Sequence, residues 1–201
     1  LAMAKIPLFP LPLVLLPGGT LDLQIFEACY LDLVKSTLQH DSGFGIIMIE
    51  EGEQVLLHKD QSLPAISHCG TYVKIIDFDQ MPNGMLSIVV EGQGKFVIRD
   101  QYEEANRLMM ADVEFLEMEE QIPIPEQHEH LAGLLDTLMQ HEAVRKYAHE
   151  IDFSEAREVG SRLTELLPCP NRNKQHLLEI KDPVTRLKEI SKLVERMGEL
   201  K

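Results

Sequence analysis

The 201-residue chain is 44% hydrophobic and 26% charged, and its 33 acidic and 19 basic residues leave a net charge of -14. Residues 1 to 120 hold 7 Lys/Arg and 19 Asp/Glu, so the first part of the chain repels phosphate backbones and nucleic acid is not expected as a ligand. Cys29, Cys69 and Cys169 form no C-x-x-C pair, which excludes a disulfide framework or structural zinc site and fits a reducing cytoplasm.

The chain opens on I-P-L-F-P-L-P-L-V-L-L-P from Ile6 to Pro17. Proline fixes its own φ and pushes the preceding residue towards extended geometry, so Ile6 to Leu16 is predicted to be an extended strand or sheet edge. The run is too short and too rich in proline to cross a bilayer, and it carries no signal-peptide pattern, so no membrane association is expected. Pro17-Gly18-Gly19 turns the chain. From Ile25 the residues Phe26, Tyr30, Leu33, Val34 and Leu38 recur at three- and four-residue steps, which predicts a helix with Glu27 in its first turn, near the positive end of the dipole.

Phe44 to Ile49 reads as a buried strand, with Val55 to His58 as a short partner. Thr71 to Phe78 and Met85 to Val90 flank Pro82-Asn83-Gly84, a hairpin signal, because Asn-Gly tolerates positive φ. A further turn is expected at Gly92-Gln93-Gly94, then strands at Lys95 to Arg99 and Leu108 to Met118. Short strands divided by turns predict a small antiparallel barrel or sandwich with one helix over residues 1–120.

Glu119 to Glu126 contains two spaced prolines and reads as a stiff connector, and residues 121–201 are predicted to be helical. Leu131, Leu134, Leu135, Leu138 and Met139 make one apolar face. Val159, Leu163, Leu166 and Leu167 make another, preceded by Asp152 and Glu155 at capping-box spacing. Pro168-Cys169-Pro170 stops that helix; Asn171 is a cap candidate for a helix with Leu177 and Leu178. Asp182-Pro183 caps the last helix, which carries Val184, Leu187, Ile190, Leu193, Val194 and Met197.

Catalytic signatures are missing. The chain has no phosphate loop, no G-x-S-x-G elbow and no H-E-x-x-H helix, and Gly92-x-Gly94 lacks the third glycine of a dinucleotide fingerprint. His128, Glu129, His130 and His141 are the one cluster with metal-ligand chemistry. On a helix, 128 and 130 diverge by roughly 200°, so they read as solvated surface, and no metal or cofactor is expected. Cys29 near a helix start could be acidified, although a small packed thiol is the plainer reading. Phe9 to Leu16 could present an apolar edge to another chain; most of these side chains are expected to fill the barrel.

The sequence resembles the Lon N-terminal (LON substrate-binding) domain family. The resemblance rests on I-P-L-F-P-L-P-L-V-L-L-P-G-G-T-L-D-L-Q-I-F-E-A-C-Y at 6 to 30, G-F-G-I-I at 43 to 47 and H-C-G-T-Y-V-K-I at 68 to 75. It continues in P-N-G-M-L-S-I-V-V-E-G-Q-G-K-F-V-I at 82 to 98 and K-Q-H-L-L-E-I-K-D-P-V-T-R-L at 174 to 187. Phe26, Glu27, Tyr30, Gly92 and Phe96 match the family pattern, whereas Cys29 and Lys95 stand where the family usually has arginine. The resemblance implies an α+β fold, a β-rich PUA-like pseudo-barrel with one helix followed by a helical bundle. It also implies a non-catalytic module that binds unfolded or specific polypeptides, in a bacterial cytoplasmic setting linked to proteolysis. Neither the ATPase nor the Ser-Lys peptidase domain of full-length Lon proteases is found in these 201 residues, so no enzymatic activity is expected. The expected peptide-binding residues are Phe9, Leu11, Leu13, Phe26, Glu27 and Tyr30. The alternative is a small-molecule sensor or enzyme using a cleft between the two halves. No oligomeric state follows from the sequence.

Overall fold

The computed structural model describes residues 2–145 and 150–199. Contacts divide the chain into two units, the first ending at Glu117 and the second beginning at Met118.

The first unit holds seven strands and one helix: β1 (Met3–Leu11), β2 (Thr20–Ile25), α1 (Ala28–His40), β3 (Phe44–Glu51), β4 (Ala65–Ile66), β5 (Cys69–Gln80), β6 (Leu86–Glu103) and β7 (Met109–Phe115). The sheet runs β1-β7-β6-β5-β3-β4, with β2 on β6. A parallel pairing of Leu8–Leu11 with Gly45–Met48 joins β1 to β3 and closes five strands into a ring. Closure gives β1 partners on both sides: its first half pairs antiparallel with β7, Met3 opposite Glu114 and Pro7 opposite Met110.

Alternation along β1 feeds two apolar clusters, because successive side chains leave opposite faces of a strand. Ile6 and Leu8 join Ile47, Phe96, Met109, Ala111 and Val113. Phe9 and Leu11 join Leu33 and Val34 of α1 with Phe44, Ile46, Val73, Ile88 and Val90. Fully burying side chains of this size contributes on the order of 1.5–3 kcal/mol each, before the cost of ordering the chain. Phe96 fits only because Gly45 and Gly70 lie against it; an added Cβ would meet its ring at 2.6 and 2.8 Å.

Several sequence expectations are corrected in this unit. Thr20–Ile25, given no element in the sequence reading, is a strand on β6. Gly92-Gln93-Gly94 makes no turn. It lies inside β6, an 18-residue strand that takes in Lys95 to Arg99 and all of Met85 to Val90 but Met85. There, Gly92 exchanges backbone hydrogen bonds with Gly18 and Gly19, at 2.9 and 2.8 Å. Val55 to His58 is not a strand; the short edge partner of β3 is β4. The hairpin at Pro82-Asn83-Gly84 is present, with Gly84 at φ 83° and Asn83 Oδ1 accepting from the Met85 N–H. Glu27 occupies the N-cap position of α1 instead of its first turn.

The second unit holds α2 (Glu129–Met139), α3 (Glu142–Arg145), α4 (Ala156–Leu166), α5 (Asn171–Glu179) and α6 (Pro183–Glu199), with a 3-10 turn at Glu126–His128. Leu131, Leu135, Val159, Leu163, Leu177, Leu187 and Ile190 build its core. The cap of α4 falls on Glu155, whose carboxylate accepts from Glu158 N–H; Asp152 is taken by the Ser154 N–H and hydroxyl instead. Asn171 is the first residue of α5, not its cap. Asp182 caps α6 as expected, accepting from Thr185 N–H and Oγ1 at 2.9 and 2.5 Å. Arg186 is 1% exposed and is satisfied by a two-pronged pair with Glu119, at 2.6 and 2.7 Å, and by the Leu177 carbonyl. No described helix is long and apolar enough to cross a membrane.

Candidate functional site

A cleft of about 640 Å³ opens in the first unit. One wall is the start of α1, with Glu27, Ala28, Cys29 and Tyr30; Pro10 of β1 and Met109 of β7 lie beneath. The loop after β3 contributes Leu56, Leu57 and Leu63, and the turn between β6 and β7 adds Ala105, Asn106 and Arg107.

The loop is held by backbone chemistry that its residue types permit. Gly52 takes φ 107°, and a Cβ there would come within 2.9 Å of Pro64 Cα, so the close return of the loop needs glycine. Arg107, itself at φ 74°, ties the loop to the β6–β7 turn. Its Nη1 donates to the Lys59 carbonyl at 2.6 Å, its Nη2 donates to the Gln61 carbonyl, and its Nε lies 2.6 Å from Glu103. The short separation places that last contact as an ion pair, while its angle falls outside hydrogen-bond geometry, leaving Nε without a hydrogen-bond partner. Gln61 also turns back within the loop, its side chain accepting from Leu57 N–H at 2.9 Å.

Tyr30 is seated by stacking on Phe9, with ring centroids 4.1 Å apart, and Phe9 in turn leans on Phe44. Burial pushes the Tyr30 hydroxyl far above its ordinary pKa, with the charges of Cys29 and Glu27 adding to the shift. Burial also raises the Glu27 carboxyl. The backbone carbonyl of Glu27 accepts from Tyr30 and Leu31 N–H, yet its side chain makes no capping bond. The Cys29 thiol is pushed up as well, first by burial and then by Glu27, which runs against the acidified sulfur and with the plainer reading of a packed thiol.

Of the six residues expected to bind peptide, Glu27 and Tyr30 line the cleft. Phe26 is 54% exposed but does not line the cleft. Leu13 is half-buried, and Phe9 and Leu11 are core residues, 4% and 2% exposed. The loop wall and Arg107 were missed by sequence reasoning. Their signals were faint: an apolar pair at Leu56-Leu57 in polar surroundings, and one arginine in the acidic stretch Glu103 to Asp112.

His128 and His130 are 6.4 Å apart between ring centroids, and His130 Nε2 lies 3.2 Å from the Ser191 hydroxyl. Burial, then His130 and Lys188, lower the pKa of His128. Among the described residues no group of three His, Cys, Asp or Glu side chains is placed to hold a metal ion.

Residues 5–196 match the ATP-dependent protease La (LON) substrate-binding domain. The chain belongs to that family. A crystal structure of a Lon N-terminal domain protein from Xanthomonas campestris is similar over 93% of this chain and 96% of that one, at 32% identity and a TM-score of 0.76. The N-terminal domain of a Mycobacterium avium complex Lon protease matches over 92% and 95%, at 16% identity and a TM-score of 0.57, a likeness of fold alone. No curated protein matches the chain. Within this LON domain, two of the matching positions are structural. Phe96 is fully buried, and a Cβ on Gly92 would stand 2.6 Å from the Leu16 carbonyl oxygen.

Proposed function

We propose that this LON domain is a non-catalytic recognition module that holds an extended, partly apolar segment of a client polypeptide in the cleft beside α1. The observation that carries this reading is the cleft itself, lined together by Tyr30 of α1 and by Leu56, Leu57 and Leu63 of a loop strapped by Arg107. Apolar walls with a few polar groups suit side chains of varied sequence, since hydrophobic contact is not directional. The one thiol among the lining residues is held towards its protonated form, which favours binding over nucleophilic chemistry. Membership of a substrate-binding family points the same way.

Fluorescence anisotropy with labelled peptides drawn from denatured clients tests the reading. Saturable binding in the micromolar range is expected. Leu57 is 78% exposed, so Leu57→Asp leaves the core untouched and is expected to weaken binding at least about five-fold. Absence of saturable binding up to high micromolar peptide would overturn the proposal. A volume near 640 Å³ also lies within the usual range for small-ligand pockets. A metabolite retained on the native protein in mass spectrometry would favour that second reading.

A further inference from the structure

Resting on that reading, we infer that the loop of residues 53–63 is a lid on the cleft and that Arg107 is its latch. Gly52 and Pro64 lie against each other at the base, so the loop leaves and rejoins the sheet at one point, in the manner of an Ω-loop. Above that base it is thinly held. Among the described residues, the hydrogen bonds that tie residues 53–62 to the rest of the chain are the two that Arg107 donates, to the Lys59 and Gln61 carbonyls. The tip is bonded within itself: Leu57 N–H donates to the Gln61 side chain and Gln61 N–H to the His58 carbonyl, so residues 57–61 move as one piece. Leu63 packs on an apolar cluster, while Leu56 and Leu57 join none and Leu57 is 78% exposed. A segment with so few bonds and buried contacts to its surroundings opens at low cost.

The turn that carries Arg107 bears a strain that the latch explains. Glu104 N–H donates to the Leu108 carbonyl and Arg107 N–H to the Glu104 carbonyl, which leaves Ala105, Asn106 and Arg107 as a three-residue loop whose last residue is left-handed, at φ 74°. Glycine suits that place in such a hairpin, because a side chain there strains the backbone. Arginine accepts the strain and sets a guanidinium on two loop carbonyls, with Glu103 paired to its Nε. Strained residues persist where other contacts hold them, and ligand clamps and switches are common places for them. Breaking the two carbonyl bonds frees the tip, an extended segment enters, and the latch re-forms once it is seated.

The test uses the full chain and two readouts. Endoproteinase Lys-C cuts after Lys59, whose carbonyl is one of the two that Arg107 holds, so its rate reports how often the tip is open. Arg107→Gly suits the left-handed turn, and its circular dichroism is expected to match the parent's. Cleavage at Lys59 is expected to rise about ten-fold relative to cleavage at Lys35 of α1, which reports wider unfolding of the unit. A merely structural role for Arg107 would raise both cuts together. With the same labelled client peptides in stopped-flow anisotropy, Arg107→Gly is expected to release peptide about ten-fold faster, with association no slower. Cleavage at Lys59 that is unchanged, or that rises only in step with Lys35, overturns the latch whatever the peptides do. Faster cleavage with unchanged release means a loop that moves without gating the cleft, and overturns the lid. Both of those results leave peptide recognition standing. No saturable binding by the parent overturns recognition and the lid together.

Discussion

Glu27 carries a cost that its fold does not require. A carboxyl whose pKa is raised on folding is favoured in its protonated form, so its effect on stability worsens as pH rises through the window between the ordinary and the raised value. The penalty is absent below the ordinary glutamate pKa and complete above the raised one. Glu27→Gln is therefore expected to melt higher than the parent at pH 7, by on the order of 1–3 °C, with the gap closing below about pH 4. Equal melting temperatures across that range would show that Glu27 is solvated well enough to carry no strain. The sequence pointed to Glu27 and Tyr30 through the period of α1, but it could not show that the Glu27 carboxylate makes no bond to the helix N–H groups, because that depends on side-chain geometry and not on spacing.

Among the elements, β6 shows where sequence patterns mislead. Gly92-Gln93-Gly94 has the composition of a turn, yet Gly92 serves close approach: the chain at Leu16 to Gly19 passes against it, and two backbone hydrogen bonds cross there. Gly92→Ala sets a Cβ against a backbone oxygen that cannot swing aside, and it is expected to cost about 1–3 kcal/mol in urea unfolding followed by circular dichroism. A loss below a few tenths would mean that the Leu16 to Gly19 segment yields freely. Glycine's two uses, positive φ and absence of a side chain, look identical in a sequence; Gly18 and Gly84 use the first in turns where it was expected, and Gly92 uses the second. Val55 to His58 misled for another reason. Leu56 and Leu57 line the cleft instead of pairing with a neighbouring strand. The helices of the second unit were easier to read, since Leu131, Leu163 and Leu187 recur at helical spacing and proline marks the starts and stops. The α4 cap moved from Asp152 to Glu155 because Ser154 occupies the aspartate first.

For the whole molecule, a net charge of -14 governs which partners approach. A labelled single-stranded RNA or duplex DNA is expected to show no shift with micromolar protein at about 150 mM salt, since few cations are available to release counterions. A saturable shift would require a basic surface that the charge distribution does not lead one to expect. The ring closure of the barrel has a consequence in time as well as in space. Met3 to Pro7 find their partners in β7, roughly a hundred residues later, so at about 5 to 20 residues per second the opening strand waits several seconds during synthesis for the segment that completes it. An apolar strand left waiting invites wrong partners. Pro7 and Pro10 lack the N–H that a foreign strand would need, so the prolines that look like an obstacle to sheet formation also guard the nascent chain until its proper neighbour arrives.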